Sequence, residues 1–195
     1  MRRSSTGTED RIVDVALGLF GTQGYSATSM EQVRREAGVS NGSLYYLFPH
    51  KAALAARLFC DGMLQSQAGL LGALRAASSA EVGVRETVAC QARWVDDNVA
   101  LARLVYSELP DEVLLTASTS LDGPARSYVR ETDKWLRRHI EMGAVVDRPF
   151  VVSHALWLGP TQEFCRHWLR GRSKLRPRHV AADLAEGAWK ALMAS

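Results

Sequence analysis

The chain has 195 residues, 47% of them hydrophobic and 23% charged, with 24 Lys and Arg against 21 Asp and Glu for a formal net charge of +3. That length and balance suit a soluble globular protein of one or two domains with a substantial core. The longest uncharged runs, such as Gly62 to Leu74 and Pro149 to Gln162, fall short of the roughly 20 apolar residues a membrane span requires, and the small charge is a poor fit to a protein whose whole surface binds nucleic acid.

The start Met1-Arg2-Arg3 leads into Ser, Thr and Gly rather than an apolar stretch, so no secretory leader is expected and the location is taken as cytoplasmic. Residues 1–7 are polar and read as an arm carrying Arg2 and Arg3. A first helix is expected over about 8–22, opened by a capping box of Thr6 and Glu9 and terminated by Gly21 and Gly24. Ile12, Val13, Ala16, Leu17, Leu19 and Phe20 supply its apolar face. Tyr25 to Thr28 form the connection.

Residues 29–48, SMEQVRREAGVSNGSLYYLF, read as two short helices joined by a tight turn. Thr28 with Glu31 and Ser29 with Gln32 are overlapping capping boxes, and Met30, Val33 and Ala37 form one apolar stripe. Gly38 supplies the left-handed stop, Val39 can plug the turn, and Ser40 is suited to cap the next helix. On that second helix Leu44, Leu47 and Phe48 fall together, while Gly42, Ser43, Tyr45 and Tyr46 point the other way. Glycine inside an exposed helix costs about 1 kcal/mol relative to alanine, so Gly42 suggests a large partner pressed against the backbone. Helix, short glycine-containing turn and helix is the pattern whose second helix enters the DNA major groove, although an ordinary packed hairpin has the same outline.

The run Gly38-Val39-Ser40-Asn41-Gly42-Ser43-Leu44-Tyr45-Tyr46-Leu47-Phe48, followed by Pro49-His50-Lys51 and preceded by Gly24-Tyr25-Ser26-Ala27-Thr28-Ser29-Met30, resembles the DNA-binding signature of the TetR family of bacterial transcriptional regulators. The resemblance covers about residues 8–60. It implies that Asn41, Gly42 and Ser43 face base edges, and that Thr28, Ser40, Tyr45, Tyr46 and Lys51 hold phosphates. Many members of that family have a basic residue where Asn41 stands and histidine where Tyr46 stands, which bears on the operator sequence. Arg34 and Arg35 are further candidates.

Beyond Pro49 a long fourth helix is expected over about 50–76, then helices over about 80–98 and 99–108, with Leu109-Pro110 as a stop. The Ser/Thr-rich stretch 111–123 reads as a loop. A seventh helix is expected over about 124–143, an eighth over about 149–169 interrupted by Gly159-Pro160, and a last over about 177–194 with small residues Ala181, Ala185 and Ala188 along one stripe. The basic run Arg166, Arg170, Arg172, Lys174, Arg176 and Arg178 reads as a solvated connector. No run reads as a strand.

The whole is therefore expected to be all-α, about nine helices, with a helix-turn-helix head in residues 1–50 and a body in residues 51–195. The aromatic set of Trp94, Tyr106, Tyr128, Trp135, His139, Trp157 and Trp168 reads first as core. The resemblance implies a body cavity for a small-molecule effector, for which Arg93, Trp94, Tyr106, Trp135 and His139 are the candidates. It further implies a homodimer through helices eight and nine on a double-stranded DNA operator. No pair of histidines or cysteines has metal-ligand spacing, and no nucleophile motif is present, so neither a metal, a cofactor nor an enzyme is expected. Cys60, Cys90 and Cys165 read as buried free thiols.

Overall fold

A computed structural model describes residues 5–194. The expected arm, and the capping hydroxyl of Thr6, lie outside the side chains it describes. The described residues form nine helices: α1 (Ser5–Ala27), α2 (Met30–Ala37), α3 (Asn41–Leu47), α4 (Lys51–Ala76), α5 (Ala80–Asp97), α6 (Val99–Val105), α7 (Asp111–Glu141), α8 (Phe150–Leu169) and α9 (Pro177–Leu192). No strand occurs among them, only an isolated antiparallel bridge between Val145 and Met193. Among the described residues no helix is long and apolar enough to cross a membrane.

Two differences from the sequence reading have clear causes. Helix α1 continues past Gly21 and is interrupted at Gly24, whose φ of 84° and ψ of 168° suit only glycine. The stretch read as a loop over 111–123 is the first part of α7. Its hydroxyls bond back along the helix, Thr116 Oγ1 to the Glu112 carbonyl at 2.6 Å and Ser118 Oγ to the Leu115 carbonyl at 2.7 Å. Val113 and Ala117, one turn apart, are fully buried and anchor it. Pro124 consequently sits inside α7, where it removes one backbone bond.

Contacts divide the chain into two compact units. The first comprises the chain through Met63 together with Val99–Asp122. Its core contains Ile12, Ala16 and Phe20 of α1, Val33 and Leu44 of the helix pair, and Leu54 and Leu58 of α4, all but Ala16 worth about 1.5–3 kcal/mol each when withdrawn from water. Here α1 and α6 meet at Gly21, where an added Cβ would lie 2.8 Å from that of Ala100. Arg103 Nη1 then donates to the Gly21 carbonyl at 2.9 Å.

The second unit comprises Leu64–Asn98 and the chain from Gly123 onward. Leu70, Leu74, Val84, Val88, Leu136, Trp157 and Leu192 are among its core. The small-residue stripe of α9 is buried inside this unit, where α9 packs on α5 and α8. Two members of the basic run depart from the solvated role expected of them. Arg176 Nε and Arg178 Nε donate to the Asp96 carboxylate at 3.0 and 2.6 Å, and the Arg178 backbone N–H adds a third bond at 3.1 Å. The Asp96 side chain is wholly removed from solvent. Burial opposes its ionisation, but the bonds from Arg178 and Arg176 prevail and hold the carboxyl below its usual range. Cys60 and Cys165 are buried free thiols, whereas Cys90 is only half-buried.

Candidate nucleic-acid interface

Local chemistry sets the helix pair. Ser29 Oγ accepts from the Gln32 N–H at 3.1 Å, which caps α2, and Gly38 closes it at φ 63°, ψ 38° with its N–H on the Arg35 carbonyl. Val39 is buried in the turn. Ser40 Oγ accepts from the Ser43 N–H at 3.1 Å and starts α3. Leu44 is 0% exposed and Phe48 6%. Opposite them, Tyr45 is 46% and Tyr46 86% exposed, with Asn41 and Gly42 also open to solvent. A Cβ on Gly42 would meet nothing of the protein closer than Ser40 Oγ at 4.0 Å, so no intramolecular contact requires glycine there.

Two of the eight expected contact residues are turned inward. Thr28 is 2% exposed; its hydroxyl donates to the Gly24 carbonyl at 2.9 Å and accepts from Gln23 Nε2 at 3.1 Å. Lys51 directs its ammonium back into the head, donating to the carbonyls of Tyr25 and Thr28, each at 2.9 Å, with Nζ 4.2 Å from the centroid of the Tyr25 ring. These two side chains brace the corner between α1 and α2 behind the exposed face. His50 joins them in a role absent from the sequence reading, its Nδ1 accepting from the Ala53 N–H at 3.1 Å and so capping α4. Tyr25 extends the brace: its hydroxyl donates to Glu112 Oε1 at 2.7 Å, and burial, then the Glu112 carboxylate, push its pKa up to about 12.

The two candidate arginines separate. Arg34 is engaged by Glu31, Nη2 to Oε1 at 2.7 Å, which draws the Glu31 carboxyl below its usual range. Arg35 is exposed and has no ion pair among the described residues. The available face is therefore Ser40, Asn41, Gly42, Ser43, Tyr45 and Tyr46, with Arg35 on the preceding helix. It offers hydroxyls, an amide and one cation on a rod narrow enough for a groove.

The five effector candidates do not converge. Tyr106 belongs to the first unit and the other four to the second. Trp94 is buried and donates Nε1 to Gln65 Oε1 at 2.9 Å. Arg93 lies beside Glu86, 3.6 Å away, on a separate cleft with Cys90 and Gly69. Trp135 and His139 do meet, with ring centroids 4.4 Å apart, and Trp135 also packs 5.4 Å from Trp157. Burial and then the neighbouring Arg138 charge lower the His139 pKa.

Nine helices among the described residues, and a short exposed helix capped by Ser40 behind a left-handed glycine turn, define an all-helical protein with a helix-turn-helix head. Residues 12–58 match the family described as bacterial regulatory proteins, tetR family. The HTH-type transcriptional regulator AcrR of Shigella flexneri is 36% identical over 58 residues, which are 30% of this chain and 27% of that protein. The regulator SrpR of Pseudomonas putida is 42% identical over 55 residues, 26% of each chain. The chain thus aligns with about a quarter of the length of these relatives. The fatty acid degradation regulator FadR of Bacillus halodurans superposes with a TM-score of 0.76 at 19% identity, covering 92% of this chain and 97% of the other. FadR of Bacillus subtilis, in complex with stearoyl-CoA, gives 0.78 at 18% identity over 93% and 98%. Residues 12–58 thus carry the amino-terminal DNA-binding domain of the tetR family of bacterial regulatory proteins, and the whole chain shares the fold of the two FadR regulators.

Proposed function

We propose that the chain is a cytoplasmic repressor that binds a palindromic operator as a homodimer and leaves it when a small molecule occupies the body. Residues 1–50 form the reading head and residues 51–195 the effector-binding and dimerising body. The exposed face of α3 carries this reading: Tyr46, 86% exposed on a helix anchored by a fully buried Leu44, has no partner among the described residues. Asn41, Gly42 and Ser43 approach base edges, and Ser40, Tyr45 and Tyr46 bond phosphates. Thr28 and Lys51 act from behind by fixing the angle at which α3 is presented.

Dimerisation through α8 and α9 is supported by an apolar stripe on α8, where Val152, Ala155, Leu156 and Gly159 recur at helical spacing and Val152 and Leu156 are 42% and 38% exposed. Stacking that stripe on its own copy about a two-fold axis covers it on both chains. A second reading, regulation without an effector, draws on the packing of the body's aromatics. Trp157 is 1% exposed, and Trp135 lies so close to Gly83 that an added Cβ would be 2.3 Å from the ring.

Selection of bound duplexes from a random pool, with sedimentation of the complex, tests the proposal. The expected product is a palindrome with half-sites about 10 bp apart, or a multiple, holding two chains. A site without two-fold symmetry, or one bound by a single chain, overturns it.

A further inference from the structure

Helices α4 and α7 line, within the second unit, an open cleft of about 770 Å³ in which only Trp135 is shared with the effector candidates above. This size falls in the range of about 300–1,000 Å³ typical of small-molecule sites. Leu71, Leu74 and Trp135 give it an apolar side that is continuous with the core. The lining otherwise holds five cations against three acids.

Four of those eight charges are already matched, and Arg130 Nη2 donates to Ser127 Oγ at 3.1 Å. Arg75 pairs with Glu131, and Arg137 with Asp133 at 2.8 Å. Lys134 and Arg138 are not matched: both are exposed, four residues apart on one face of α7, and neither has an ion pair or hydrogen bond among the described residues. Glu141, the third acid of the lining, pairs with neither. Two like charges at this spacing repel and destabilise the helix that carries them. An anion placed between them removes the repulsion and gains charge-assisted bonds, two of them from one planar guanidinium.

We propose that this cleft binds an amphipathic carboxylate, with its apolar body against Leu71, Leu74 and Trp135 and its carboxylate between Lys134 and Arg138. The regulatory consequence rests on the effector response proposed above; the binding itself does not. Two features select the class. The apolar side favours a ring or chain rather than a small inorganic anion, and the unmatched cations favour an acid over the matching alcohol.

Calorimetric titration of the full chain without DNA tests this, with 2-naphthoate and the neutral 2-naphthalenemethanol as probes. The expected result is a Kd for naphthoate below about 1 mM and an affinity for the alcohol weaker by about tenfold or more. Lys134→Gln/Arg138→Gln should weaken naphthoate by about tenfold or more and leave the alcohol unchanged. Because both side chains are exposed and unbonded, the double variant should retain the far-ultraviolet circular dichroism of the parent. No naphthoate binding at about 1 mM, equal affinities for acid and alcohol, or an unaffected double variant each overturns the proposal. Naphthoate is then added to a chain–duplex complex. Binding in calorimetry without release of DNA would overturn the regulatory consequence alone, and failure to bind any duplex would leave the site assignment standing.

Discussion

Replacing Lys51 with methionine removes an ammonium while keeping the apolar stem, and so isolates the brace behind the reading helix. The parent Nζ donates to two carbonyls, Tyr25 and Thr28, each at 2.9 Å, and lies 4.2 Å from the Tyr25 ring centroid. Hydrogen bonds to charged groups contribute about 1.5–3 kcal/mol each, and a cation over an exposed ring about 0.5–1 kcal/mol. Lys51 is half-buried, so the lower end of each range applies, and water recovers part of what the two carbonyls lose. The net expected loss is about 2 kcal/mol of unfolding free energy, or a fall in Tm of about 4–8 °C for a chain of this size. Urea titration followed by circular dichroism measures it, and the midpoint should fall with the slope unchanged. A loss below about 0.5 kcal/mol would refute the reasoning, because the ammonium would then be free in solution to serve a phosphate instead.

Three further substitutions follow from the same geometry. Asp96→Asn should lower stability by about 1.5–3 kcal/mol, towards the lower end because both guanidiniums reach solvent. The folded-state pKa of Asp96 is lowered, so its contribution is present above the unfolded value of about 3.9 and is lost as pH falls through the still lower folded value. Urea midpoints recorded through that acidic window should decline more steeply in the parent than in Asp96→Asn; parallel curves would contradict the assignment. Gly83→Ala should destabilise by about 1–3 kcal/mol despite the better helix propensity of alanine, since its Cβ would sit 2.3 Å from the Trp135 ring. A rise in Tm would show that the ring moves freely. Gly42→Ala should do the reverse, raising stability by up to about 1 kcal/mol because its Cβ meets open space, while weakening DNA binding. Unchanged affinity would remove the argument that a partner approaches that backbone.

The helix pair was legible because its determinants are local: Ser29, Gly38 and Ser40 each act within four residues of themselves, and Leu44 and Phe48 reveal the buried side by spacing alone. Where a side chain reaches across the fold, the sequence was silent. Lys51 carries the residue type of a phosphate contact, and only the folded corner shows its ammonium turned onto the carbonyls of Tyr25 and Thr28, 26 and 23 residues away. Arg176 and Arg178 looked solvated because Asp96, their partner, lies 80 and 82 residues away. The first part of α7 was hidden for a different reason. Ser and Thr compete with helices by bonding to nearby backbone, and whether they bond out of the helix or back into it depends on an anchor such as Val113, whose burial is a tertiary fact.

The central claim is that the hydroxyl-bearing face of α3 meets DNA. Fluorescence anisotropy of a labelled duplex, titrated with the parent chain and with Tyr46→Ala over a series of salt concentrations, tests it most directly. The account predicts an affinity that falls steeply and linearly on logarithmic axes as salt rises. Tyr46→Ala should bind about tenfold or more weakly while unfolding within about 0.5 kcal/mol of the parent, since an 86% exposed side chain contributes little to the fold. Binding that ignores salt, or an unchanged affinity in Tyr46→Ala, would contradict the account.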